Sequence, residues 1–119
     1  MNGRASTRTR RPTLPEMSEA QLLDAVRSLS LLTGWLFFHD FDSRRSTAGF
    51  PDTVMVNVRQ RRVLFVELKA AAGRVRPQQG VWLAALSAAG METALWRPAQ
   101  WRDGTIERAL KGERLGGAL

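Results

Sequence analysis

Three residues in the middle of this chain have the types and spacing to hydrolyse a phosphate ester. Glu67 and Lys69 stand two apart in Val66-Glu67-Leu68-Lys69, so on an extended strand both side chains leave one face while Leu68 points to the other. Asp52 follows Gly49-Phe50-Pro51 at the start of a run rich in β-branched residues that ends at Val58. The runs Asp52 to Val58 and Val63 to Lys69, separated by Arg59-Gln60-Arg61-Arg62, read as a hairpin. Closed symmetrically about Gln60 and Arg61, the hairpin pairs Val58 with Val63, Val54 with Glu67 and Asp52 with Lys69. Asp52, Glu67 and Lys69 then share one face at one end, an arrangement that a loop one residue longer or shorter would break.

Two carboxylates at that distance repel, and a divalent cation resolves the repulsion. The chain has no cysteine and a single histidine, His39, so a metal here would sit on oxygen ligands, which with open positions for water suit Mg²⁺ or Mn²⁺. The chemistry this suggests is metal-assisted hydrolysis of a phosphodiester, with an ammonium beside the metal to steady the nucleophile or the transition state. Lys69 is one of two lysines against sixteen arginines, which points to a need for a compact amine at that position. Taken singly, Glu-x-Lys on a strand is commonly a surface ion pair and an Asp after proline a turn residue. It is their meeting at the end of one apolar hairpin, after Gly-Phe-Pro, that favours chemistry.

The elements that must position these residues follow from the flanking pattern. Ser18 with Gln21 three residues on has capping-box spacing, and Leu22, Leu23, Val26 and Leu29 follow at helical intervals up to Thr33 and Gly34. Trp35 to His39 reads as a short strand and Asp40 to Pro51 as a polar loop. After the hairpin, Pro77 suits the first turn of a helix that runs to about Ala89 with Val81, Trp82, Ala85 and Leu86 on one face. Met91 to Trp96 is a fourth strand, Arg97-Pro98 breaks it, and Thr105 to Lys111 forms a last short helix. The order is α-β-β-β-α-β, followed by that helix. Trp82, Trp96 and Trp101 read as core or interface rather than as platforms for bases.

A chain of 119 residues carries one domain's worth of core. The expected boundaries are a disordered basic arm over 1–15, a folded domain over 16–111 and a flexible tail over 112–119. The net charge of +7 is uneven, because Arg4, Arg8, Arg10 and Arg11 lie in the arm with no acid among them. Such a balance predicts a polyanion partner, nucleic acid first. Pro12, Pro15 and the scarcity of apolar residues argue against a transit-peptide helix there. No apolar run approaches the ~20 residues of a membrane span. Together with the lack of cysteine this fits a cytoplasmic protein that works with DNA.

At these residues the sequence resembles the VRR-NUC family within the PD-(D/E)XK nuclease superfamily. The resemblance runs from about Ser18 to Trp101. It rests on Ser18-Glu19, Gly34-Trp35, His39 with the Asp42-Ser43-Arg44-Arg45 loop, Gly49-Phe50-Pro51-Asp52 and Val66-Glu67-Leu68-Lys69, then Pro77-Gln78-Gln79 leading to Trp82-Leu83, Ala89-Gly90 and Trp96-Arg97-Pro98, in that order. It implies an α/β, restriction-endonuclease-like αβββαβ core with a mixed central sheet flanked by helices. It also implies a Mg²⁺- or Mn²⁺-dependent nuclease in which Asp52, Glu67 and the backbone carbonyl of Leu68 bind metal, Lys69 assists and Gln79 completes the site. Small stand-alone members resemble structure-specific endonucleases, some acting as dimers on four-way junctions, and larger relatives cut flaps.

Supporting positions follow from local chemistry. Gln79 falls in a first helical turn, where free N–H groups favour an anion. Glu19 also opens a helix and is a candidate extra metal ligand, although a carboxylate is favourable there for local reasons alone. His39, ending the first strand, is a candidate phosphate contact or a packed residue, and Arg44 and Arg45 are candidate DNA-backbone contacts. The expected function is a metal-dependent endonuclease for branched or distorted DNA, working as a homodimer in repair or replication. The alternative is a non-catalytic nucleic-acid-binding module that retains the fold. An assembly protein that neutralises packaged nucleic acid would explain the arm and nothing of the hairpin.

Overall fold

The first described element opens on a capping box. In the computed structural model, which describes residues 16–42 and 47–116, the Ser18 hydroxyl accepts from the Gln21 N–H (3.1 Å) and the Gln21 side chain accepts from the Ser18 N–H (2.8 Å). These bonds satisfy two N–H groups that the helix itself leaves unpaired. Helix α1 runs over Glu19–Leu32 and ends at Thr33 with Gly34 in the left-handed region (φ 93°), from which the chain turns straight into β1 (Leu36–His39). Next come β2 (Thr53–Asn57), β3 (Arg62–Leu68), α2 (Pro77–Ala88), β4 (Glu92–Trp96), α3 (Pro98–Arg102) and α4 (Thr105–Lys111). The expected αβββαβ order therefore stands. The added element is α3, which starts at the same Pro98 that ends β4, because a proline at N1 needs no N–H partner.

The four strands form one mixed sheet in the order β1-β2-β3-β4, antiparallel except for the β3–β4 pair. The parallel pair follows from the crossover through α2. Helix α1 packs on β1, β3 and α4, and α2 packs on β3 and β4. Between the sheet, α1 and α4 lies the core, with Leu22, Val26, Trp35, Met55, Leu64, Val66, Leu68, Trp96, Ile106 and Leu110 buried. Trp35 is buried just ahead of β1 and donates its indole N–H to the carbonyl of Leu110 (3.0 Å). On α2 the packed side is Trp82, Leu83 and Leu86: Trp82 and Leu86 of the expected face stand, while Val81 and Ala85 are exposed and Leu83 takes their place.

The hairpin corrects the expected register. Asn57 pairs with Arg62 and Val56 with Val63, so the loop is Val58 to Arg61 and its centre lies between Arg59 and Gln60. Asn57 causes the shift: its Oδ1 accepts from the Gln60 N–H (2.9 Å) while its Nδ2 donates to the carbonyl of Thr33 (3.2 Å). That side-chain bond opens the loop one residue early, and Arg61 closes it in a left-handed conformation (φ 57°) with its N–H on the carbonyl of Val58 (3.1 Å). Val54 therefore faces Phe65 rather than Glu67. Pairing has moved by two residues, an even number, so every side chain keeps its face. Continued one step past Thr53 and Val66, the same register sets Asp52 opposite Glu67, where Lys69 was expected.

At the far end of β3, Arg62 is buried in an ion pair with Glu92. Its guanidinium donates to both carboxylate oxygens of Glu92 (2.8 to 3.2 Å), to the Gln60 side chain (2.6 Å) and to the carbonyls of Ala109 (2.7 Å) and Glu113 (3.1 Å). Burial pushes the Glu92 carboxyl up, but the bonds from Arg62 and from the Leu115 N–H outweigh it and hold it below its usual range. The stretch after α4, expected as a tail, is thus hydrogen-bonded as far as Leu115.

Candidate active site

The site lies where the β2–β3 ladder ends. Asp52 is delivered by the segment from Thr47 to Pro51, which is anchored at two points. Phe50 stacks edge to face on Phe65 (6.1 Å) and on Trp82 of α2 (5.0 Å). Gly49, at φ 89°, lies so close to α2 that a Cβ would come within 2.5 Å of the backbone of Gln78. Neither the conformation nor the space admits a side chain. These anchors explain the Gly-Phe-Pro-Asp order: glycine for the approach to α2, phenylalanine for the hold, aspartate for the site.

Proline completes it. The Lys69 N–H donates across to the carbonyl of Trp96 on β4 (3.0 Å). In a trans peptide the C=O of Leu68 is directed opposite to that N–H, away from β4 and towards the β2 side. Its partner there in the ladder register is position 51, and Pro51 has no N–H to give. Continued to that position, the register offers the Leu68 carbonyl no ladder donor on the β2 side.

Glu67 is the most telling side chain. It is 2% exposed and, among the described residues, shares full burial of a charged side chain with Arg62. The Gln79 amide donates Nε2–H to its Oε2 (3.0 Å), while the other end of that amide accepts the Arg76 N–H that opens α2 (2.8 Å). Capping thus fixes which way the amide faces, and Gln79 meets Glu67 as a donor. Glu67 Oε1 is buried with no hydrogen-bond partner. Burial pushes its pKa up to about 7; Asp52 and, more weakly, Glu19 add to the rise, and Lys69 and the Asp52 N–H oppose it. Asp52 is also raised, chiefly by burial, with His39 and Lys69 pulling it down and Asp40 pushing it up.

The structure therefore brings Asp52, Glu67, Lys69 and Gln79 together, with Glu19 near enough to bear on Glu67 and His39 near enough to bear on Asp52. His39 bonds through Nδ1 to the hydroxyl of buried Thr53 (2.8 Å), so it is held in place rather than free to reach outward. Arg44, Arg45, Arg4, Arg8, Arg10 and Arg11 lie outside the described residues, as does the expected arm. Sequence reasoning missed Arg74 and Arg76, both exposed in the loop that enters α2 beside Gln79. Two arginines immediately before a proline-led helix were the available signal. Sequence reasoning also missed the clamp made by Arg97, whose guanidinium donates to the carbonyls of Ala70 (2.7 Å), Ala71 (3.3 Å) and Gly73 (2.8 Å) and so fixes the loop joining Lys69 to α2.

Among the described residues no three His, Asp or Glu side chains enclose a point where an ion would be caged by side chains alone. The donors that do fit a hard cation are the two carboxylates, with a buried unpartnered oxygen on Glu67, and the Leu68 carbonyl. Such a set leaves open positions for water and a phosphate oxygen. No curated protein and no solved structure matches the chain. A protein-family model does, that of the VRR-NUC domain, over residues 4–100. With most of its length matched and the mixed sheet holding the acidic pair at the hairpin end, the chain belongs to the VRR-NUC family, a family of nucleases.

Proposed function

We propose that this nuclease is a Mg²⁺- or Mn²⁺-dependent endonuclease that cuts branched or otherwise distorted duplex DNA. The observation that carries the reading is Glu67, a buried carboxylate facing Asp52 with one oxygen unpartnered. An uncompensated buried charge is costly, and it persists where a ligand supplies the compensation. Asp52, Glu67 and the Leu68 carbonyl would hold the metal, which supplies an acidified water and charge neutralisation at the phosphate. Gln79 fixes the Glu67 carboxylate by donating to Oε2, so that Oε1 keeps its direction. Lys69 offsets the two negative charges and offers an ammonium to the developing phosphorane. Arg74 and Arg76 present guanidinium groups to the DNA backbone at the mouth of the site. Glu19 and His39 serve at its margin.

The test is a cleavage assay of the purified protein with Mg²⁺ or Mn²⁺ on labelled four-way, flap, nicked, linear and single-stranded DNA. The expected result is incision of the branched substrates that disappears with chelator. Binding to all of them with cleavage of none would leave the non-catalytic module as the function.

The working unit proposed is a homodimer, since one site makes one cut at a time and a four-way junction needs two. Support comes from Leu36 and Phe38 of edge strand β1, which are 69% and 58% exposed on the sheet face shared with Val54 and Val56. An apolar face of that kind is characteristic of a subunit contact. Light scattering is expected to return twice the 13.3 kDa chain mass, and a monomer at every concentration, with and without DNA, would sink the dimer.

A further inference from the structure

Phe41 combines exposure with a fixed place beside the site. It is 82% exposed, yet its ring stands edge to face against the His39 imidazole, centroids 4.6 Å apart and planes at 75°. His39 is in turn bonded to buried Thr53, and the Asp40 N–H donates to the carbonyl of Asp52 (2.8 Å). The Asp42 N–H closes a turn on Asp40 Oδ1 (3.0 Å). The ring is thereby held within two residues of a backbone bond to the proposed metal ligand, with most of its surface in water. Leu36 and Phe38 differ: they lie within β1, on the open face of the sheet. Phe41 lies past the end of the strand, where the link to Asp52 is made.

A flat apolar ring fixed beside a phosphate-cleaving site has a natural complement in the face of a nucleobase. Fully paired duplex hides those faces, whereas a nick, flap or branch point presents an unstacked base next to the backbone to be cut. Aromatic and apolar side chains elsewhere insert at such weakened steps and hold the duplex open. We propose that Phe41 is a specificity-determining residue that stacks on the unstacked base flanking the scissile phosphate and so selects branched over continuous duplex; this rests on reading the chain as a DNA nuclease.

The experiment measures binding in the absence of divalent metal, so that it does not depend on cleavage. Two labelled DNAs of equal length are compared, a four-way junction with 2-aminopurine at the branch and a linear duplex with the same base in mid-sequence. Phe41→Ala is expected to weaken junction binding about tenfold, with linear binding changed by less than about twofold, and Phe41→Trp to restore the junction affinity. Quenching of 2-aminopurine by the parent protein at the junction is expected to be lost in Phe41→Ala and regained in Phe41→Trp. Equal losses on both DNAs, or no loss on either, would overturn the proposal. So would a halved mass of Phe41→Ala in light scattering, which would assign the ring to a subunit contact. Selective junction binding through Phe41 in a protein that cuts nothing with Mg²⁺ or Mn²⁺ would uphold the stacking role and remove the catalytic reading.

Discussion

Glu67→Gln is expected to slow Mg²⁺-dependent cleavage by at least about a thousandfold while leaving the folded protein no less stable than its parent. The two effects have one origin. Gln is close to Glu in shape and keeps an oxygen to accept from Gln79, so the packing and the cap of α2 are preserved. What it removes is a negative charge that is buried, sits opposite another carboxylate and has an unpartnered oxygen. Without that charge the oxygen set loses most of its affinity for a hard cation, and the transition state loses the stabilisation the cation provides. Single-turnover cleavage of a saturating branched substrate, beside a thermal melt of the same preparation, measures both. DNA binding without metal is expected to survive, because the loss falls on the transition state. Turnover at the parental rate would remove Glu67 from the site.

The second large effect is a stability that falls with rising pH in the metal-free protein. Glu67 has its pKa raised from 4.5 to about 7. In the unfolded chain it ionises near the lower value, whereas the folded protein keeps the proton until the higher one. The folded state therefore binds more protons across that window. The contribution of Glu67 is fully present below the unfolded pKa and is lost as pH rises through the folded pKa. Between about pH 5.5 and about pH 8 the loss is on the order of 2 kcal/mol, or several degrees in Tm for a chain of this size. Asp52, also raised, acts in the same sense. Glu92, whose pKa is lowered, acts oppositely but in more acidic solution, as pH falls below its unfolded value, outside the window from about pH 5.5 to about pH 8. Differential scanning fluorimetry at the two pH values reads the slope. Glu67→Gln is expected to flatten most of it, and millimolar Mg²⁺ to restore stability at the higher pH in the parent but not in the variant. An undiminished slope in Glu67→Gln would show that the pH dependence arises elsewhere.

Most of the fold was legible because its signals are local. Ser18 and Gln21 mark the start of α1, Pro77 the start of α2, and the β-branched runs the central strands. The faces of Asp52 and Glu67 were also legible, since strand parity depends only on whether a shift is odd or even. The register itself was not. It turns on Asn57, whose side chain reaches Thr33, a residue distant in sequence, while also opening the loop. A side chain that bridges two elements leaves no periodic trace. The same holds for the Arg97 clamp and for the exposure of Val81 on α2, a residue as apolar in the sequence as Trp82, which packs against Phe50. Short α3 was hidden because Pro98 ends one element and starts the next.

Strand β3 carries a buried ionic side chain at each end, and the ends are matched unequally. Arg62 has partners for its whole guanidinium on four residues, and Glu67 has a donor for one oxygen only. The surplus at one end offsets the deficit that chemistry imposes at the other, seven residues of strand serving as the common support. This has a bearing on how a mutational screen of the protein should be read. Substitutions at Arg62 or Glu92 would surface among the inactive variants although both residues lie at the opposite end of the sheet from Asp52 and Glu67, because a strand without its reserve no longer holds Glu67 buried. Activity alone would place them in the wrong site, and only a melt recorded beside it would return them to the right one.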